Sequence, residues 1–313
     1  MDKNSMNLIV ERVLETIAAQ SGASPKPTAK KPAEARAEAE NPSLVRKPST
    51  GGAVPPPKDA PVFEDITSKQ AKAYPTIDNA VDFDSVVRMK GKTPARIGVG
   101  RSGPRLKTQT LLTLRADHAA ARDAVFKDVD EKLLEQLGLF SVKTCCKDKN
   151  EFLTRPDLGR AFDNETIEKI KSECKKDIDV QLILSDGLSS TAIEANAAKI
   201  LPALEEGLKD KGYSVGTNFF VKFGRVACED AICEALGAKV VCILIGERPG
   251  LATAESMSAY IAYKATVGMP ESRRTVVSNI HSAGIPAVEA GAYIADVIEM
   301  IMNAKASGVE LQK

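Results

Sequence analysis

The sequence is poor in the residues that build metal sites and disulfide frameworks. It holds only two histidines, His118 and His281, and its six cysteines include no C-x-x-C pair. A structural zinc site is therefore not expected, and we predict no metal ligands in this chain. Cys242 lies in an apolar run, where a cysteine usually serves as a small buried hydrophobic residue. The other cysteines fit reduced thiols in the cytosol.

Neither sign of charge dominates the chain. Lys and Arg total 43 against 42 Asp and Glu, which leaves a net charge of +1. A nucleic acid or an acidic membrane surface is therefore not an expected partner. No stretch reaches the roughly eighteen uncharged apolar residues that a membrane span needs, and the N-terminus lacks the basic-then-apolar order of a secretory signal. We therefore expect a cytoplasmic protein.

The common motifs of a self-sufficient active site are also missing. The sequence contains no nucleophile elbow, no H-E-x-x-H, no P-loop and no pair of carboxylates in a recognisable catalytic spacing. We predict that this chain contributes no catalytic residue of its own.

The N-terminus predicts an amphipathic helix on a flexible tether. Within residues 1–22, apolar side chains recur with helical spacing at Met6, Ile9, Val10, Val13, Leu14 and Ile17. Residues 23–62 hold nine of the seventeen prolines and hardly any large apolar residue, so we predict a disordered linker there. This arrangement is typical of a docking peptide. The alternative is a first helix packed on its own domain, although a linker of this length is unusual inside a compact fold.

The remaining chain predicts an α/β protein in two parts. Residues 63–170 look mainly helical, and the clearest helix, 108–127, is expected to bury Leu111, Leu112, Leu114, Ala119 and Val125. In residues 171–313, strands are predicted at 179–185, 215–223, 238–245 and 275–280. Helices are predicted between them and after the last one, including a helical stretch that ends at Tyr263. This alternation of apolar strands and helices predicts a Rossmann-like domain with a parallel sheet.

Four polar loops follow the four predicted strands. In an open parallel sheet such loops share the edge where ligands bind. They span residues 185–190, 224–226, 246–250 and 278–282, and most contain glycine. Ordinary turn chemistry is the alternative explanation, but four such loops in succession favour a site for a large ligand rich in amides or phosphates.

Two further motifs have a functional and a plainer interpretation. Gly98-Val-Gly-Arg-Ser-Gly103 matches the dinucleotide fingerprint G-x-G-x-x-G after a possible strand at 95–99, which would suit a nicotinamide-dependent oxidoreductase. Pro104 and the missing acidic residue argue against it. The plainer interpretation is a glycine loop that presents Arg96, Arg101 and Arg105 to a protein partner.

The second motif lies after the last predicted strand. Asn279-Ile-His281-Ser-Ala-Gly284 is close to D-x-H-x-x-G, the signature by which one class of cobalamin proteins supplies a histidine to cobalt. Asn279 replaces the aspartate that would polarise the imidazole. We therefore expect His281 to be a hydrogen-bonding or packing residue.

Six sequence blocks, in the correct order, carry a resemblance to a known family. They are 95–105 (ARIGVGRSGPR), 153–157 (LTRPD), 185–188 (SDGL), 224–226 (GRV), 246–251 (GERPGL) and 278–281 (SNIH). Over residues 63–313 the chain resembles the small (light) subunit of ethanolamine ammonia-lyase.

The resemblance implies a specific function for the chain. Members of this family convert ethanolamine to acetaldehyde and ammonia with adenosylcobalamin, which is held between two subunits. The large subunit, a β/α barrel, carries the reacting groups, and the small subunit covers the cofactor as a non-catalytic partner. Matching blocks assign cofactor contacts to Arg225, Val226, Glu247 and Val276, the last at a position where relatives can have Cys.

The resemblance also gives an expectation for the leader. Residues 1–20 look like the encapsulation peptides that load enzymes into bacterial microcompartments, so the expected partners are the large subunit and, through residues 1–20, the microcompartment shell or other cargo. The expected location is a bacterial microcompartment in the cytoplasm. The alternative is a non-catalytic microcompartment cargo adaptor with a Rossmann-like domain.

Overall fold

The computed structural model describes residues 65–311, whose main element is a six-stranded sheet. A short hairpin, β1 (Arg101–Ser102) and β2 (Arg105–Leu106), precedes this sheet. The six strands are β3 (Phe140–Lys143), β4 (Val180–Ser185), β5 (Phe219–Lys222), β6 (Val240–Gly246), β7 (Met257–Tyr263) and β8 (Thr275–Ile280). The predicted helix at 1–22 and the predicted linker at 23–62 lie outside the described residues.

Nine α-helices accompany these strands within residues 65–311. They are α1 (Lys69–Ala73), α2 (Phe83–Lys90), α3 (Thr108–Phe126), α4 (Glu131–Gln136), α5 (Lys149–Thr154), α6 (Asn164–Glu173), α7 (Ser190–Asp210), α8 (Cys228–Leu236) and α9 (Ala287–Ala304). In this part of the chain, no helix combines the length and the apolar character that a membrane crossing requires.

The main sheet is mixed, with strand order β3-β5-β4-β6-β7-β8. The first four strands in this order run parallel to one another, whereas β7 runs antiparallel to both of its neighbours. The predicted α/β class is confirmed. The prediction of a parallel sheet throughout is wrong at β7.

Strand β7 replaces the helical stretch that was predicted to end at Tyr263. Its side chains alternate between the two faces of the sheet, but both faces are covered: Ala259 and Ile261 pack in one core, and Tyr260 and Ala262 pack in the other. A short run that is apolar on both sides has no period that distinguishes a strand from a buried helix. The segment forms a strand because it pairs antiparallel with β6 from Val240 to Gly246.

The sheet separates two apolar cores, which explains the continuous apolar runs in its central strands. Every residue of β4 and β6 is buried. Leu182 and Leu184 of β4 face the first core, which α7 and α9 cover, while Ile183 faces the second core with Ile232 of α8. Cys242 of β6 is fully buried in the first core, so its predicted role as a small buried hydrophobic residue is confirmed.

The described part of the region 63–170 holds six α-helices together with three short strands. It contributes the edge strand β3, whose residues pair in parallel with β5 from Phe140 opposite Phe219 to Lys143 opposite Lys222. The two phenylalanine rings stack with their centroids 5.1 Å apart. This region is therefore joined to the sheet through β3.

Helix α3 occupies the predicted range, but the face that it buries is different. Leu111, Leu112 and Ala119 are exposed, so the predicted buried side is wrong for these residues. The buried positions are Asp117 and Ala124. Asp117 is buried because two cations pair with it. Hydrophobic periodicity does not reveal a buried ion pair, so the sequence pattern could not predict this arrangement.

The long helices α7 and α9 approach closely through small residues. A Cβ atom at Gly291 of α9 would lie 2.9 Å from the carbonyl oxygen of Ile200 and 2.9 Å from the Cβ atom of Ala203, both on α7. Gly291 is therefore required for this helix packing rather than for its own backbone conformation.

We expect Gly291→Val to lower the free energy of unfolding by about 1–3 kcal/mol, because the added atoms force the two helices apart. Ala292→Val is the matched control, since Ala292 is an exposed neighbour on the same helix and shares the β-branched propensity cost. Urea unfolding followed by circular dichroism measures both variants. Equal losses in the two variants would contradict the packing role of Gly291.

Candidate functional site

The topology opens a crevice at the carboxyl ends of β4 and β5. Helix α7, which follows β4, lies on the first core, and helix α8, which follows β5, lies on the second. The chain therefore leaves these two neighbouring strands towards opposite faces, the arrangement that creates a ligand crevice in α/β sheets. A cavity of about 190 Å³ lies there, lined by the loops after β4, β5 and β6.

Three of the four predicted cofactor contacts line this cavity. Arg225, Val226 and Glu247 are lining residues. Val276 is not a lining residue; it lies on β8 directly opposite Tyr260, which does line the cavity, and its side chain is 45% exposed. The three lining residues therefore share one site, and Val276 lies one strand beyond the cavity wall.

Arg225 is held in place by α5 and keeps one donor free. Its Nη2 donates to the carbonyl oxygen of Phe152 at 2.8 Å, and its guanidinium carbon lies 4.2 Å from the centroid of the Phe152 ring. Burial lowers the pKa of Arg225. Its Nε is buried and has no hydrogen-bond partner in the described part of the chain, so a ligand oxygen would satisfy it.

Glu247 is fixed through one carboxylate oxygen only. Its Oε1 accepts hydrogen bonds from the hydroxyl of Ser258 and from the backbone N–H of Asn279, which lies 3.1 Å away. The second bond brings the fourth predicted loop into contact with the site. Among residues 65–311, nothing donates to Oε2 of Glu247, so this oxygen is available to a donor on a ligand.

A buried salt bridge lies beneath the cavity. Lys149 of α5 places its Nζ 3.3 Å from Oδ2 of Asp186 and 5.0 Å from the centroid of the Phe152 ring. Oδ1 of Asp186 accepts the backbone N–H of Phe223 at 2.8 Å. Burial raises the pKa of Asp186, while Lys149 opposes the shift. This carboxylate therefore joins the loops after β4 and β5 to helix α5.

Sequence reasoning placed Asp186 in a site loop but missed Lys149. Lys149 lies in a stretch with several charged residues, between Lys147 and Glu151, where solvent exposure is the usual expectation. The alternating charges gave no signal that one lysine is buried.

A second buried ion cluster joins the start of α8 to the start of β8. Nη2 of Arg274 lies 2.7 Å from Oδ1 of Asp230, and its Nε lies 2.8 Å from Oε1 of Glu229. Burial raises the pKa of Asp230 to about 6, although Arg274 opposes the shift. Sequence reasoning missed this cluster because acidic residues are common in the first turn of any helix, where they interact favourably with the helix dipole. The cluster positions the strand that carries Val276.

The glycine loop 98–103 does not form a dinucleotide site. Residues 95–99 form no strand, and the loop continues into the antiparallel hairpin β1–β2, so the strand-turn-helix context of the fingerprint is missing. Arg96, Arg101 and Arg105 are all exposed, and their presentation to a protein partner stays a prediction. Arg96 also donates to Asp117 at 2.6 Å and to the carbonyl oxygen of Leu251 at 3.1 Å.

His281 has the hydrogen-bonding role that was expected from its sequence. Its Nδ1 accepts the backbone N–H of Ala283 at 3.2 Å, and Gly284 leaves room for the ring, since a Cβ atom there would lie 2.9 Å from Nε2. The imidazole therefore stabilises the turn between β8 and α9.

Comparisons with known proteins agree on one family. A family model described as ethanolamine ammonia-lyase light chain matches residues 83–312. The ethanolamine ammonia-lyase small subunit of Clostridium tetani is 59% identical over 251 residues, which cover 80% of this chain and 85% of the relative. That of Clostridium perfringens is 56% identical, with 79% and 84% covered. The small subunit of Listeria monocytogenes is 50% identical over 270 residues, with 86% and 89% covered.

We expect Asp186→Asn to lower the free energy of unfolding by about 3–5 kcal/mol, because it leaves the buried Lys149 ammonium without a counter-charge. The double variant Lys149→Met/Asp186→Asn removes both charges and should recover at least half of that loss. Urea unfolding of the single variants and the double variant gives the coupling energy. Losses that simply add in the double variant would contradict a direct interaction between the two groups.

Proposed function

This chain belongs to the ethanolamine ammonia-lyase light chain family, and from that membership we propose that it covers adenosylcobalamin at its interface with a large catalytic subunit. The observation that carries the proposal is the meeting of Arg225, Val226 and Glu247 around one cavity at the carboxyl ends of the strands. The assembled enzyme would convert ethanolamine to acetaldehyde and ammonia.

The chemistry of the cavity fits the edge of a corrin ring. That edge bears neutral amides, which can both donate and accept hydrogen bonds. The buried Nε of Arg225 is a donor without a partner, and Oε2 of Glu247 is an acceptor that no described residue uses. An amide carbonyl would pair with the first atom and an amide N–H with the second. Both groups are already held in place by the protein, so little ordering is needed on binding.

The size of the cavity supports a shared site. At about 190 Å³ it is smaller than the roughly 300–1,000 Å³ that ordinary small-molecule pockets offer, and a corrinoid is larger than a typical small molecule. This chain would therefore hold one edge of the cofactor, and a second surface has to cover the remainder. A large subunit, which the name of the family's small subunit implies, is the partner that supplies this surface.

The role of this chain in the reaction would be to position and to shield. When bound, the cofactor supplies a cobalt–carbon bond whose cleavage starts the radical reaction. The charged groups beneath the cavity, Lys149 and Asp186, are paired with each other and shape the loops. Arg225 and Glu247 would orient the cofactor, and the closed interface would exclude water. Substrate binding and the reacting groups would belong to the large subunit.

We also propose that residues 1–20 direct the enzyme into a bacterial microcompartment. This proposal is supported by the apolar stripe from Met6 to Ile17 and by the proline-rich segment that follows it. These residues lie outside the part of the chain that the structure describes.

The first test of the proposed function is reconstitution. We expect the purified chain, mixed with its large subunit, adenosylcobalamin and ethanolamine, to produce acetaldehyde, and neither subunit alone to do so. A coupled alcohol dehydrogenase assay measures the product. Turnover by this chain in the absence of the large subunit would refute the division of labour.

A substitution at Glu247 tests the cofactor contact in the same complex. We expect Glu247→Ala to weaken adenosylcobalamin binding by about 10- to 100-fold, the loss of a hydrogen bond to a charged group. Glu247→Gln should lie between Ala and the wild type because it keeps an acceptor for Ser258. Glu206→Ala, at an exposed position of α7, is the control. A visible absorbance titration measures each Kd, and unchanged affinity and activity in Glu247→Ala would favour the adaptor alternative.

Deletion of residues 1–20 tests the targeting proposal. We expect the shortened chain to retain full lyase activity with the large subunit, because the site is built from residues after 148, and to lose its enrichment in purified microcompartments. Immunoblots of the shell fraction measure that enrichment. A loss of lyase activity would show instead that the leader packs on the folded domain.

A further inference from the structure

A second and larger depression lies beside the cavity. It has a volume of about 620 Å³ and is formed by α1, residues 93–99, the first half of α3, and Leu251 and Ala252 of the loop that joins β6 to β7. We call it the N-terminal groove. Neither the cofactor contacts nor the catalytic reaction accounts for it.

The N-terminal groove carries an excess of positive charge. Its lining includes four cations, Lys69, Lys72, Lys90 and Arg96, but only one carboxylate, Asp117. Lys72 and Arg96 share that carboxylate, and each lies 2.6 Å from one of its oxygens. Two cations on one carboxylate leave a net positive charge even at the paired positions.

The other two cations have no carboxylate partner among residues 65–311. Lys69 is exposed, and Nζ of Lys90 donates only to the carbonyl oxygen of Ile97, at 2.9 Å. Burial and the nearby Arg96 lower the pKa of Lys90, as expected where positive charges lie close together without compensation. Asp65 lies near Lys72, but its Oδ1 already accepts hydrogen bonds from Thr67. A negatively charged occupant would therefore be stabilised in the groove.

One loop separates the groove from the cavity. Glu247 and Arg248 at its start line the cavity, and Leu251 and Ala252 at its centre line the groove. The bond from Arg96 to the carbonyl oxygen of Leu251 fixes this loop against the groove wall. A protein surface that covers the cavity and extends along this loop would meet the groove.

We propose that the N-terminal groove binds an acidic segment of the large subunit. The charge imbalance identifies the segment as one rich in Asp and Glu, and the shared loop makes the contact continuous with the surface that covers the cofactor. The assignment rests on the proposed function, because that function identifies the large subunit as the partner.

The test is the affinity between the full-length chain and the purified large subunit, measured by isothermal titration calorimetry at low and at high salt. We expect Lys69→Glu to weaken association by about tenfold at low salt, because it places a like charge against the acidic segment. The salt dependence of Kd should also become shallower, since one attractive charge pair is lost. Lys90→Met, which keeps most of the side-chain length, should act in the same direction.

The matched controls are Lys175→Glu and Lys176→Glu. Both lysines are exposed and precede β4, at the opposite edge of the sheet, so their reversal changes the net charge equally without touching the groove. If the controls and the groove variants lose affinity equally, the loss is caused by the change in net charge and not by the groove. This result would overturn the proposal. Unchanged affinity of Lys69→Glu would overturn it as well.

Two other occupants are distinguished by measurements on the free chain. If Lys69→Glu lowers the melting temperature of the free full-length chain, the groove is filled from within the same chain and the proposal fails. If inorganic phosphate binds the free chain at Lys69 while Lys69→Glu leaves assembly unchanged, the groove is a small-anion site and the proposal also fails.

The reconstitution assay separates this proposal from the proposed function. If the wild-type mixture forms no acetaldehyde, the proposed function fails. If the wild-type mixture is active but Lys69→Glu assembles as tightly as the controls, only the assignment of the groove fails.

Discussion

The buried salt bridge between Lys149 and Asp186 is the interaction on which the carboxyl edge of the sheet depends. One carboxylate receives the ammonium group of α5 and the backbone N–H of Phe223. It thereby connects three segments that are far apart in the sequence. Because α5 also carries Phe152, which supports the guanidinium of Arg225, the position of this proposed cofactor contact depends on a charge pair that the ligand would not touch.

The hydrogen bonds of the candidate site explain why its side chains are fixed although some of their polar atoms have no partner. Arg225 and Glu247 each use some of their polar atoms to bind the protein and leave others free. Groups held in this way lose little conformational freedom when a ligand arrives. A cavity of about 190 Å³ nevertheless encloses only a fraction of a large cofactor. Under the proposed function, the chain would supply one wall of the site, and assembly with a partner would complete it.

The sequence predicted those parts of the fold that a hydrophobic period describes. The strands β4 and β6 and the helix α8 lie where apolar runs and helical spacing placed them. Prediction failed at Met257–Tyr263, where both faces are buried, and at α3, where the ion pairs of Asp117 decide which side turns inward. Arg225, Val226 and Glu247 could be proposed as cofactor contacts only because the family blocks are specific. Lys149, whose partner is 37 residues away in sequence, left no local signal.

The loop between β6 and β7 has a thermodynamic consequence. It borders the cavity at Glu247 and the groove at Leu251, so the two proposed binding sites share one segment of the chain. If the two binding events influence each other through this loop, the coupling is reciprocal. The factor by which bound cofactor raises the affinity between the subunits then equals the factor by which assembly raises the affinity for the cofactor. Removal of the proposed cofactor would then weaken subunit association by the same factor by which separation of the subunits weakens cofactor binding.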